Sequence, residues 1–127
     1  MKLTKQTDFA LRTLLYLAKQ KTNNRIFVQE IADAYDMPVN HLTKVVNKLS
    51  RLSYINTYRG RNGGIELGRT KEEILIKDVI IDFEPSLTPA DCENCLLRGG
   101  CGLEVHLAIA SDAFIDSLGN KSLADIC

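Results

Sequence analysis

The most constraining feature of the chain is an abrupt change of hydrophobic period near Leu52. Upstream of it, apolar residues recur at helical spacing. Leu11, Leu14, Leu15 and Ala18 follow the i, i+3, i+4, i+7 rule and predict a first helix from about Thr7 to Lys19. Asn23 and Asn24 then predict a turn. Val28, Ile31, Ala32 and Tyr35 predict a short second helix, and Leu42, Val45, Val46 and Leu49 a third that ends near Leu52. Between these two, Asp36 stands where a tight turn usually has glycine, because aspartate tolerates the left-handed conformation better than most residues. Pro38 suits the first turn of the third helix. Downstream, Tyr54, Ile55, Thr57 and Tyr58 are strand formers. Arg59-Gly60-Arg61-Asn62-Gly63-Gly64 is a hairpin tip, and Ile65, Glu66 and Leu67 form the return strand. Helix, turn, helix and hairpin in this order predict a mainly α fold with a small β-wing: a winged helix-turn-helix.

The remainder follows the same logic. Ile74, Ile76, Val79, Ile80 and Phe83 predict a fourth helix from about Glu73 to Phe83. Glu84 to Gly102 has no periodicity and carries Pro85, Pro89, Gly99, Gly100 and Gly102; an unstructured loop of that length in a small domain is usually functional or disordered. Leu103, Leu107, Ala110, Phe114 and Leu118 recur at spacings of 4, 3, 4 and 4, which predicts a long helix with a coiled-coil-like seam. Gly119 and Asn120 stop it, and Ser122 suits the cap of a last short turn to Cys127. The expected organisation is a winged helix-turn-helix domain over residues 1–83, a cysteine-bearing loop over 84–102, and a long helix with a C-terminal turn over 103–127.

The chemistry of partners is written in the charge. The 127 residues hold 16 basic and 16 acidic side chains, but residues 1–70 carry 12 basic against 5 acidic, and residues 71–127 carry 4 against 11. That asymmetry suits a polyanion at one end. On the third helix the apolar stripe leaves Asn40, Thr43, Lys44, Asn47, Lys48 and Arg51 outward, with His41 at the border. Asparagine pairs bidentately with adenine, lysine reaches guanine, and cations neutralise phosphates, so this is the equipment of a major-groove helix. Arg59, Arg61 and Asn62 on the glycine-rich tip suit a backbone or minor-groove contact. Each feature alone also describes an ordinary solvated surface; together, on the basic half, they point to double-stranded DNA.

A composition of 45% apolar and 25% charged residues excludes a disordered or membrane-spanning class. Asp8 and Arg12 interrupt any signal-peptide core around Leu14 to Ala18, so no membrane partner and a cytoplasmic location are expected. In that compartment cysteines serve as ligands or redox groups more often than as disulfides. Cys92 and Cys95 form C-x2-C, and Cys101 follows after five intervening residues. Three thiolates on a glycine-rich loop suit an iron–sulfur cluster, or a zinc ion with His106 as fourth ligand. His106 is equally readable as an ordinary helix histidine, and Cys127 stands apart. No catalytic triad, phosphate loop or paired carboxylates are evident, and no enzymatic activity is expected.

Several stretches resemble the Rrf family of bacterial winged-helix regulators. Met1-Lys2-Leu3-Thr4 and Thr7-Asp8-Phe9-Ala10-Leu11-Arg12 look like its opening, Asn40 to Leu49 like its recognition helix, and Arg59 to Leu67 like its wing. Within the family the likeness is to repressors that sense nitric oxide through an iron–sulfur cluster, with regulators that sense cluster status as the alternative. The resemblance implies a homodimer held by the long helix, here Leu103 to Leu118. It implies a cluster on Cys92, Cys95 and Cys101, with Asp8 of the partner subunit as fourth ligand. Without the family, Asp8 would be a first-turn carboxylate complementing the helix dipole. The C-x2-C pair is more tightly spaced than in relatives. The two-iron relatives also place a histidine nearer the third cysteine than His106 stands here, so a 4Fe-4S cluster is expected over 2Fe-2S. A dimeric regulator of this kind is expected to take an inverted repeat with half-sites about one helical turn apart. A DNA-binding protein with a structural zinc is the remaining alternative.

Overall fold

The computed structural model describes residues 2–21 and 24–127. Of the expected Asn23–Asn24 turn, Asn23 lies outside the described residues. Eight elements follow in order: α1 (Lys5–Ala18), α2 (Val28–Tyr35), α3 (Val39–Arg51), β1 (Ile55–Tyr58), β2 (Gly64–Leu67), α4 (Ile76–Phe83), α5 (Gly102–Leu118) and α6 (Leu123–Ile126). The mainly α, winged helix-turn-helix architecture is as expected from the sequence.

The α3 stripe is the centre of the core. Leu42, Val45, Val46 and Leu49 are all buried, against Ala10 and Leu14 of α1 and Ile31 of α2. Asp36 closes α2 in the left-handed conformation at φ 53°, and the Met37 N–H returns to the Ala32 carbonyl at 2.8 Å. This reversal sets the angle at which α3 leaves. Pro38 stands at the N-cap of α3 with extended backbone, one position before the helix.

The wing is an antiparallel pair with Ile55 opposite Leu67 and Tyr58 opposite Gly64. A third segment reinforces it. Ile26, in the α1–α2 connection, exchanges both backbone hydrogen bonds with Ile65, at 2.9 and 2.8 Å. The hairpin is thereby fastened to the helical body.

Three boundaries differ from the expected ones, each for a long-range reason. First, α1 begins at Lys5, two residues before Thr7. The Glu84 carboxylate accepts from the Thr4 N–H at 3.2 Å, from the Thr4 hydroxyl at 2.9 Å, and from the buried Thr7 hydroxyl. A residue some eighty positions away thus satisfies the helix N-terminus.

Second, α4 begins at Ile76 rather than Glu73, because Ile74 and Leu75 are drawn into a bridge with the C-terminal segment. Leu123 donates to the Ile74 carbonyl and Ile76 to the Lys121 carbonyl, each at 2.9 Å.

Third, the α5 seam is divided. Phe114 and Leu118 pack on the chain's own core together with Ile115, and Ser111 donates to the Leu87 carbonyl. Of the rest of the expected seam, Leu103 and Ala110 are exposed and Leu107 is half-buried; Val105 and Ile109, off the seam, are exposed as well, and no described residue of α5 is fully buried. Ser122 caps α6 as expected, with Asp125 accepting from its N–H at 2.8 Å and from its hydroxyl at 3.1 Å.

Tyr54 joins the wing root to α4. It is 2% exposed, its hydroxyl donates to Asp82, and the Arg69 guanidinium lies 4.3 Å from its ring centroid. Burial, and then the bond to Asp82, push the phenol pKa well above its ordinary value. Folding therefore favours the neutral phenol. That contribution is fully present below the ordinary phenol value of about 10 and is lost as pH rises through the higher folded value. Tyr54→Phe is expected to lose about 1 kcal/mol at neutral pH. Urea denaturation of both proteins should show the gap narrowing as pH climbs past about 10.

Candidate nucleic-acid interface and cysteine loop

The outward face of α3 is built by subtraction: once the stripe is buried, the remaining positions must face solvent. Asn40, Thr43, Lys44 and Asn47 are exposed there. Thr43 spends its hydroxyl hydrogen on the Val39 carbonyl at 2.8 Å, which leaves its oxygen as an acceptor. His41 is exposed at the border, where its ring meets Phe9 of α1 edge-to-face at 5.4 Å. Lys48 is placed differently from the sequence expectation. It is half-buried, and its ammonium lies 4.7 Å above the ring of Phe83 in α4, toward the body rather than out with Lys44.

Arg59, Arg61 and Asn62 are exposed at the wing tip. The tip depends on two glycines that admit no side chain. A Cβ on Gly63 would lie 2.7 Å from the carbonyl oxygens of both Gly60 and Tyr58. One on Gly64, at φ +125°, would lie 2.8 Å from the Ile26 carbonyl. Arg25, not singled out in the sequence, also belongs here. It is an isolated cation between a turn and a strand-like residue, and no motif marks it. Its Nη1 donates to the Asn62 carbonyl at 2.8 Å, and its guanidinium stacks 3.4 Å from the Tyr58 ring centroid. The Tyr58 phenol is held above its ordinary pKa first by its hydrogen bond with Glu66 across the hairpin, with Arg25 acting in the opposite direction.

The cysteine loop leaves α4 at Glu84, the residue that caps α1. Within it the Cys95 N–H turns back to the Cys92 carbonyl at 3.4 Å, Asn94 is held by the Asp91 carboxylate, and the Leu97 N–H points at Cys95 Sγ at 3.5 Å. All four cysteines are free thiols; Cys92 and Cys101 are half-buried, and Cys95 and Cys127 exposed. The Cys92 thiol is pushed up by desolvation, then by Glu104, Cys95 and Cys101. Three thiols on one short loop are the donor type that an iron–sulfur cluster or a zinc ion takes. The loop does not by itself close such a site: among the described residues no three His, Cys, Asp or Glu side chains converge in metal-holding geometry. Asp8 is not brought to the thiols of its own chain. It is half-exposed and ion-paired with Arg12, one turn on, at 2.9 Å. His106 is exposed on α5.

Comparison with known proteins agrees with this layout. The Rrf2 profile, an iron-dependent transcriptional regulator, matches residues 3–127. The chain belongs to the Rrf2 family. It is 42% identical over 131 residues to the HTH-type transcriptional regulator NsrR of Bacillus licheniformis, a match that covers 99% of this chain and 92% of that protein. Among solved structures, CymR of Staphylococcus aureus is similar at 26% identity and TM-score 0.77, over 97% of this chain and 95% of that one. The fold is shared with CymR (YrzC), the global cysteine regulator of B. subtilis, at TM-score 0.80 and 23% identity over 99% and 95% of the two chains. It is shared too with T. potens IscR, at TM-score 0.79 and 17% identity over 99% and 85%. This Rrf2 chain is accordingly a DNA-binding transcriptional regulator. No helix among the described residues is long and apolar enough to cross a membrane.

The glycine requirement in the wing is directly checkable. Gly64→Ala meets the Ile26 backbone in a conformation that L side chains rarely adopt, and is expected to destabilise the fold by about 1–3 kcal/mol. Gly100→Ala, whose Cβ meets nothing within 4 Å, should leave the urea midpoint unchanged.

Proposed function

We propose that this chain is a homodimeric repressor that senses nitric oxide through an iron–sulfur cluster. Cys92, Cys95, Cys101 and Asp8 of the partner subunit are the proposed ligands, and 4Fe-4S is the preferred cluster type. The observation that carries the reading is the Glu84 clasp. Through it the root of the cysteine loop is bonded to the N-terminus of α1, one turn from Asp8, while the next residue, Phe9, touches His41 of α3. Events at the loop and at Asp8 therefore share a short mechanical path to the DNA-facing helix. The likeness to NsrR and the thiol chemistry of the loop support the same assignment.

The cluster would supply an iron-bound effector site and a tie between subunits. The chain's own residues do the rest. A carboxylate is a harder, weaker partner for iron than a thiolate, so Asp8 is the ligand most readily given up. Once released, its oxygen has a ready partner in Arg12, one turn along the same helix at 2.9 Å. The switch works only if the liganded and released states of α1 differ in free energy. Exposed Leu103, Val105 and Ile109 on α5 are the proposed dimer contact, since burying each against a second copy removes apolar area from water.

On the DNA side, Asn40, Thr43, Lys44 and Asn47 are proposed to enter the major groove, with His41 at its edge and Arg59, Arg61 and Asn62 on the flanking backbone or minor groove. Lys48 takes a supporting place against Phe83.

Two outcomes are expected. Lys44→Ala and Arg61→Ala should each weaken binding to an inverted-repeat duplex. A lost phosphate contact lowers the slope of log K against log salt by about one, and a lost base contact instead relaxes sequence preference; footprinting over a salt series separates the two. For the cluster, anaerobic purification with iron, sulfide and zinc analysis should give a coloured iron–sulfur protein. Cys92→Ser, Cys95→Ser and Cys101→Ser should each lose iron, whereas Cys127→Ser and His106→Ala keep it. Nitric oxide should lower DNA affinity of the wild type but not of Asp8→Ala. Unchanged wild-type affinity would leave a sensor of cluster status instead, and a colourless zinc protein would remove the cluster altogether.

A further inference from the structure

We propose that Arg25 is a positioning residue for DNA binding, holding the wing arginines at the duplex by clamping both ends of the hairpin tip at once. Tyr58 immediately precedes Arg59, and Asn62 immediately follows Arg61. One guanidinium engages both flanks, stacking 3.4 Å from the Tyr58 ring centroid and donating to the Asn62 carbonyl at 2.8 Å. The next residue, Ile26, is locked to Ile65 by a pair of backbone hydrogen bonds, so Arg25 is anchored to the wing it holds. Within the tip itself the Gly63 N–H donates to the Gly60 carbonyl at 2.9 Å. Each strand is four residues long, and a two-stranded hairpin of that size is marginal by itself. A guanidinium suits this task because it is planar and presents several donors in a fixed fork; a lysine ammonium neither stacks as well nor directs its bond in that plane. Exposed polar residues with no contact to DNA rarely matter for binding, and here the side chain acts through Arg59 and Arg61.

The inference rests on the wing being a DNA contact, and the test keeps the two apart. The probe is a duplex carrying the inverted repeat that the wild-type protein selects from a random-sequence pool. Affinity, salt slope and hydroxyl-radical protection are measured for Arg25→Ala, Arg25→Lys, Arg61→Ala and the Arg25→Ala/Arg61→Ala double variant, with urea midpoints as folding controls. Positioning predicts that Arg25→Ala weakens binding by about tenfold, because the tip must then be ordered on binding, which costs free energy for each side chain immobilised. Arg25→Lys should lose nearly as much although its charge is retained. Protection should fade at the wing's flank while the α3 footprint persists, and the double variant should lose less than the sum of the two single losses, because part of what Arg25 does is done through Arg61. Wild-type affinity in Arg25→Lys, or additive losses in the double variant, would make Arg25 a simple phosphate contact and overturn the proposal. A loss in Arg61→Ala with none in Arg25→Ala overturns the clamp alone. No loss in Arg61→Ala overturns the wing interface and the clamp with it.

Discussion

The outward face of α3 is positioned by the burial of one helical stripe. Leu42 and Leu49 of α3 are fully enclosed and Val45 and Val46 nearly so. Burying side chains of this kind stabilises by about 1.5–3 kcal/mol each, more than any single surface contact supplies. Because the stripe is narrow, it fixes the rotation of α3 about its own axis. The opposite face, with Asn40, Lys44 and Asn47, is then directed outward without needing interactions of its own. The polar face is free of any part in holding the fold together.

The second organising contact is polar and long-range. Glu84 gathers the Thr4 amide and the hydroxyls of Thr4 and Thr7 on one carboxylate. It closes α4, starts the cysteine loop and caps α1 in one place. A carboxylate at a helix N-terminus also complements the helix dipole. The region that would respond to chemistry at the thiols is thus joined to the helix that carries Asp8, and through Phe9 to His41. The same domain body serves two loops of opposite character: a basic tip tightly fastened by Ile26 and Arg25, and an acidic cysteine loop held mainly at its root.

The two halves of α5 differ in what covers them. Phe114, Ile115 and Leu118 pack on the chain's own core, while Leu103, Val105 and Ile109 are left to solvent. The second half of α5 therefore serves the chain's own core, and its first half keeps apolar area at the surface.

Helical and strand periods, the left-handed turn at Asp36, the glycine-dependent tip and the thiol spacing were all legible in the residues, because each is set by interactions within a few positions or by a stripe that must be buried. The winged helix-turn-helix, the outward face of α3 and the exposed tip arginines followed from those alone. Tertiary structure decided what depended on residues distant in the chain. It started α1 early through Glu84, shortened α4 by pairing Ile74 and Leu75 with the C-terminal segment, turned Lys48 onto Phe83, and enlisted Arg25 in the wing. Periodicity records which face of an element is apolar, but not which distant donor or ring that face will meet. Those pairings exist only once the chain has closed on itself, and they carry no local signature in the sequence.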